Sequence, residues 1–273
     1  MIRRIRTIIW VIVITALFTC TEEEPTSHSD DSDAIPEPSG WELIWHDEFD
    51  GDEIDFLKWT VVERENSFNN ELQYYVSEDV YLKDECLRLR SLKRVYGSKY
   101  YTSGLVYTKH KFFCQYGRFE INAKLPYGKG LWPAHWMLPE DETWPPEIDI
   151  VEYLGHQRNT IYMTNHWLEN GEHKGSGGSY TGPYDYSADF HSFALEWEAD
   201  SLRWYIDGVL RHASTEGIPH KPFFIILNTA VGGEWPGDPD ETTSWPQYHD
   251  IDYVRVYKRG ITALTESQLG HHL

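Results

Sequence analysis

The stretch Trp144-Pro145-Pro146-Glu147-Ile148-Asp149-Ile150-Val151-Glu152 constrains this chain more than any other. It places three carboxylates within six residues and separates them with Ile, Ile and Val. Such β-branched residues favour a strand. Side chains two apart on a strand share a face, so Glu147 and Asp149 point the same way. Glu152 has the wrong parity, and one extra residue, a β-bulge, is needed to bring it round. The strand then has an apolar face for a core and an acidic face that stays open. Like charges on one face repel, so folding alone does not favour them. Catalysis does: two carboxyls about 5–5.5 Å apart are what a retaining glycosidase requires. The bland alternative is a solvated edge strand with scattered acids. The regular alternation with Ile and Val, framed by Trp and Pro, argues against it.

A chain of 273 residues suits one large β domain with a substantial core. Forty-four acidic against 24 basic residues give a net charge of −20. Phosphate contacts want Lys and Arg, so a nucleic-acid partner is disfavoured. A polyanionic substrate is mildly disfavoured too, and a neutral polymer is the easiest partner to accept. The many Trp, Tyr and Phe residues fit a β-rich core. Trp in loops beside the acids invites a second reading, because an indole packs flat against the C–H face of a sugar ring.

The N-terminus has a basic start, Met1 to Arg6, and an apolar run from Ile8 to Phe18. The run is too short to span a membrane comfortably and reads as a secretory signal. Cys20 follows it and resembles the lipidated cysteine of a bacterial lipoprotein, although Thr19 is bulkier than the residue usual before that cysteine. Residues 1–19 are thus expected to be a lipoprotein-type signal peptide. Residues 20–40 carry seven acids and no Lys or Arg, the composition of a disordered tether. A domain is expected over 41–259 and a C-terminal tail over 260–273. The protein is expected to be exported, as an outer-membrane or cell-surface lipoprotein, or else to be periplasmic or secreted. Its membrane contact would be only through a lipid on Cys20.

The domain reads as strand after strand. Cys86 to Leu92 and Phe119 to Leu125 alternate with period two. Asp207-Gly208 between Leu202–Ile206 and Val209–His212 predicts a tight hairpin. Phe223 to Leu227 suits a strand buried on both faces. Gly171 to Pro183 and Gly232 to Pro239 read as surface loops beside the site. No long stretch has helical periodicity. Cys86 and Cys114 are either a disulfide or two buried thiols.

The run from Glu147 to Glu152 resembles the signature of glycoside hydrolase family 16, in the bulged form of laminarinases; bacterial lichenases usually lack the inserted residue. Asn69-Asn70-Glu71-Leu72-Gln73-Tyr74-Tyr75, Tyr116 to Glu120, Gly130 to Trp136, Asn228 to Gly237 and Asp252 to Tyr257 also resemble family blocks, in family order. The resemblance implies an all-β jelly-roll sandwich of two curved antiparallel sheets with a concave substrate cleft. It implies a retaining endo-β-1,3-glucanase acting as a monomer on laminarin-type glucan and its oligosaccharides. Glu147 would be the nucleophile, Glu152 the acid/base, and Asp149 the residue that orients Glu147. Trp132, Trp136, Trp144 and Trp235 match sugar-binding tryptophans, with a core role open for Trp136. Asn69 and Asn228 are hydroxyl partners by chemistry. His166 matches a histidine near the cleaved bond. Catalysis needs no cofactor. A structural calcium is expected at Glu48 and Asp252, completed by backbone carbonyls.

One position departs from the family. Many relatives carry a basic residue after the Ser-Gly step, where this chain has Ser103-Gly104-Leu105. Fine specificity is therefore open. Mixed-linkage β-1,3-1,4-glucan is the nearest rival substrate and a galactan is further off. A non-catalytic glucan-binding protein is the rival of another class, disfavoured because both glutamates are present.

Overall fold

The structure is a computed structural model and describes residues 35–66 and 68–260. The expected signal peptide, Cys20, most of the tether and nearly all of the tail lie outside the described residues. The strands among the described residues are β1 (Trp41–Asp47), β2 (Thr60–Val61), β3 (Gln73–Tyr75), β4 (Val80–Lys83), β5 (Cys86–Ser91), β6 (Tyr101–Ser103), β7 (Leu105–Tyr107), β8 (Gly117–Lys124) and β9 (Leu131–Pro139). There follow β10 (Glu147–Tyr153), β11 (Thr160–Glu169), β12 (Glu172–Thr181), β13 (His191–Trp197), β14 (Leu202–Ile206), β15 (Val209–Ser214), β16 (Phe223–Val231) and β17 (Gln247–Arg259).

They form two large antiparallel sheets, as the jelly-roll expectation required. One runs β12-β11-β10-β9-β16-β7-β2 and carries the three acids. The other runs β15-β14-β13-β8-β17-β5-β4, with β1 beside β17. Their inner faces supply one core. Met137, Ile148, Met163, Ile225 and Leu227 of the first sheet belong to the same buried cluster as Leu87, Phe119, Ile121, Phe193, Leu195, Val254 and Val256 of the second. Each such side chain contributes about 1.5–3 kcal/mol on burial. β16, the strand read as covered on both faces, is buried at every position. The hairpin at Asp207-Gly208 forms as read, with both residues at positive φ.

Two expectations change. The glycine-rich stretch 171–183 is mostly not a loop: Glu172–Thr181 is the edge strand β12, paired residue for residue with β11. Asn170-Gly171 makes its turn with both residues at positive φ, the geometry such pairs favour in two-residue hairpins. The glycines serve close packing: a Cβ on Gly178 would lie 2.5 Å from His212. The choice left open for the cysteines also closes, since Cys86 and Cys114 are both free and buried. Burial pushes both thiols up, Cys86 to about 11.

Behind the acidic strand the core holds a histidine pair. His135 of β9 and His249 of β17 are fully buried, stacked at 5.0 Å, with Nε2 atoms 2.9 Å apart. One ring donates and the other accepts, so the pair fits only if a ring is neutral. Burial depresses both, His135 well below the usual range and His249 to about 4. The unfolded chain therefore binds more protons between about pH 6.5 and 4, and stability falls as pH falls through that window. We expect urea unfolding to show His249 contributing on the order of 2–3 kcal/mol of this loss between pH 7 and 4.5. A His249→Gln variant should have a visibly shallower slope; an unchanged slope would contradict the assignment.

Candidate active site

The site is built on β10, and the bulge is present. Asp149 opposes Thr164 on β11 but Glu152 opposes Tyr162, so three steps on β10 match two on β11. On the other side Asp149 opposes Trp136 and Val151 opposes His135. Ile150 is the extra residue, and its side chain stays in the core. From the opposite sheet the Trp204 indole donates to the Asp149 carbonyl at 2.9 Å, where the irregularity starts.

The effect is to gather the acids on the outer face. Glu152 Oε1 accepts from the Trp132 indole at 3.1 Å, and Glu147 Oε2 accepts from the Trp144 indole at 3.0 Å. Asp149 lies between them, only 3 % exposed, where its proton can be shared with Glu147. His166 stands across the ladder from Glu147 on β11. Its Nε2 is 3.3 Å from Asp149 Oδ2 and 3.8 Å from Glu147 Oε1.

The three carboxyls do not ionise alike. Burial raises all of them. For Asp149 the charge of Glu147 adds to burial, and for Glu152 the charges of Asp149 and Glu147 do, so both sit well above the usual carboxylate range. Glu147 is raised less, because His166 and the indole of Trp144 favour its anion. An anion at Glu147 and a proton at Glu152 are the division that acid-assisted nucleophilic displacement needs.

Around this centre Trp144 is 55 % and Trp235 41 % exposed, so both offer ring surface to a ligand. Trp132 meets Trp235 edge to face at 5.5 Å. Trp136 is part-buried and packs beside the outer-face cluster of Tyr75, Leu105, Phe224 and Ile226. Its indole donates to Asn228 Oδ1 at 2.8 Å, while Asn228 donates to Tyr75 at 2.9 Å. The amide of Asn228 is thus largely committed to holding Trp136. Asn69 sits in a turn at positive φ, its carbonyl accepting from the Glu234 amide at 3.0 Å, and so braces the Gly-rich loop that carries Trp235. Leu105, at the departure from the family pattern, is buried in the apolar cluster.

Glu48 and Asp252 lie away from these residues. Both oxygens of Glu48 accept from Arg255, at 3.0 and 2.6 Å. Among the described residues no metal-ligating group of three forms there. Backbone carbonyls would have to supply most of the shell of a calcium ion placed there, as expected.

Two contributors were not foreseen. His173 of β12 brings Nε2 to 3.1 Å from His166 Nδ1 and its ring to 4.9 Å from Trp144. Tyr162 of β11 lies 4.8 Å from Trp235 and donates to Gln157 at 2.5 Å. The signal for His173 was the turn: reading Asn170-Gly171 as a hairpin folds it back towards His166.

Two packed sheets with acids of divided protonation on an open, tryptophan-lined face define a glycosidase. The comparisons agree. The sequence model described as Glycosyl hydrolases family 16 matches residues 59–255. The chain is 37% identical over 260 residues to a beta-glucanase of Rhodothermus marinus, covering 84% of this chain and 88% of that protein. It is 36% identical over 253 residues to a glucan endo-1,3-beta-glucosidase of Cryptopygus antarcticus, covering 80% and 92%. The catalytic domain of an endo-1,3-beta-glucanase (laminarinase) from Thermotoga petrophila superposes with a TM-score of 0.75 at 41% identity, over 80% of this chain and 98% of that one. The chain belongs to glycosyl hydrolase family 16.

The raised position of Glu152 makes a stability prediction. A folded pKa above the unfolded one adds stability at low pH that is lost as pH rises through the folded value. Glu152→Gln keeps an acceptor for Trp132 and removes the charge. We expect its melting temperature to exceed the wild type's at pH 9 by about 2–4 °C, the shift that ~1 kcal/mol produces in a domain of this size. The difference should shrink towards pH 5. An equal or lower melting temperature at pH 9 would count against a buried, destabilised anion.

Proposed function

We propose that this protein is an endo-acting β-1,3-glucanase that cleaves laminarin-type glucan with retention of configuration. The observation that carries the reading is the bulge in β10, which brings Glu147 and Glu152 to one open face, each held by a tryptophan indole. In the first step the Glu147 carboxylate attacks the anomeric carbon. The glycosidic C–O bond breaks, and Glu152 gives its proton to the departing oxygen. A glycosyl ester on Glu147 results. In the second step Glu152, now a carboxylate, takes a proton from water. The water oxygen displaces Glu147 and restores both groups. Asp149 and His166 hold Glu147 in orientation through these steps. Trp144 and Trp235 supply stacking surface, and Trp132 positions Glu152.

Two relatives support the linkage, being named for β-1,3-glucan cleavage. The surface argument agrees, since a chain of net charge −20 accepts a neutral polymer more readily than an anionic one. We further propose that the protein is exported and held by a lipid on Cys20, with residues 20–40 as tether, and that it works as a monomer. A calcium ion, if bound, would draw on Asp252 and backbone carbonyls, because Glu48 is committed to Arg255.

Reducing-end release should be faster from laminarin than from lichenan or agarose, and NMR of the first product should show the β anomer. No release from laminarin, or an inverted anomer, would overturn the reading. Glu147→Ser should lower turnover by at least about 10³-fold while retaining laminarin binding. For the anchor, radiolabelled palmitate should enter the protein expressed in bacteria and fail to enter a Cys20→Ser variant; equal labelling would exclude Cys20 as its site.

A further inference from the structure

Glu147, Asp149 and His166 present more than an acid–base pair. One ligating atom of each lies within 4.8 Å of the other two. The His166 Nε2 separations, 3.3 Å to Asp149 Oδ2 and 3.8 Å to Glu147 Oε1, are informative. A tetrahedral ion bound at about 2.0–2.2 Å places its donors roughly 3.3–3.5 Å apart. The two imidazole–carboxylate separations are close to that spacing already, and the third lies within 4.8 Å.

Asp149 supplies a second, independent sign. Its Oδ2 is buried, faces His166 and accepts no hydrogen bond. A buried oxygen without a donor is costly and rare. A cation between the three groups would satisfy it. The third sign is His173. With His166 Nδ1–H donating to His173 Nε2 across 3.1 Å, a metal ion that displaces the Nε2 proton of His166 meets a lone pair facing the acids. Metal-ligating histidines are ordinarily held in this way through their other nitrogen. Access is open, because the Glu147 and His166 side chains keep 17 % and 23 % of their surface exposed. Water can take the fourth position on that side.

The donor set selects the ion. One imidazole and two carboxylates suit a borderline transition metal, whereas Mg²⁺ and Ca²⁺ prefer shells of oxygen. We propose that Glu147, Asp149 and His166 form a reversible Zn²⁺ site; on the reading of Glu147 as the nucleophile, the ion occupies its lone pairs and switches the enzyme off.

The test is calorimetric titration of the purified protein with zinc chloride, with magnesium and calcium chloride alongside. We expect one zinc-binding component that His166→Gln weakens at least tenfold and His173→Gln weakens by a smaller factor. Hydrolysis should fall in step with occupancy of that component and return on adding EDTA. Magnesium and calcium should neither bind there nor inhibit. Thermal melts check that the variants fold, and Glu147→Gln reports on the same site if His166→Gln does not. Zinc affinity unchanged in the folded variants, or binding confined to surface histidines that leaves hydrolysis intact, would overturn the proposal.

Discussion

The single inserted residue in β10 is what the site depends on. With a plain pleat, Glu152 would point at the core, where Ile148, Val151 and their neighbours exclude water. An unpaired carboxyl there would cost several kcal/mol or stay permanently protonated. With Ile150 bulged, an apolar side chain takes the core position and Glu152 comes out beside Asp149. A bulge interrupts the ladder, and the fold accommodates it from behind: Trp204 of the opposite sheet reaches the Asp149 carbonyl. The irregularity thus has a donor in the second sheet, and the sandwich and the chemistry share one set of contacts.

Electrostatics follow from that backbone choice. Three acids crowded on a half-dry face all hold protons more tightly than free carboxyls do. What separates them is the neighbours that the flanking strands and loops supply. His166 from β11 and Trp144 from the loop before β10 favour an anion at Glu147, while at Glu152 burial and the neighbouring acids outweigh the Trp132 indole and His166. The arrangement stores destabilisation locally, as sites built for chemistry commonly do. The aromatic rim is itself organised by polar contacts: Asn228 and Tyr75 hold Trp136, and Asn69 braces the loop of Trp235.

Much of this was legible in the residues, for a physical reason. A period-two pattern broken once leaves a parity error, and a parity error with chemically matched acids on both sides implies a bulge. The buried run at β16 and the Asp207-Gly208 hairpin were legible because burial and turn geometry are local. The edge strand β12 was not, because its glycines suggested a loop while serving contacts with β11 and β15 that only the assembled sheet shows. The role of Asn228 was hidden for the same reason: an amide that could meet a sugar hydroxyl meets Trp136 and Tyr75 instead. His173 was missed because its partner lies across a turn that had been read as part of a loop.

Identifying the residue that becomes covalently glycosylated tests the central claim most directly. A 2-deoxy-2-fluoro laminaribioside with a good leaving group should trap the ester, and peptide mass spectrometry should place the added mass on Glu147. Labelling of Asp149 or Glu152, or turnover with no trapped ester, would contradict the account of how the bulged strand divides its acids.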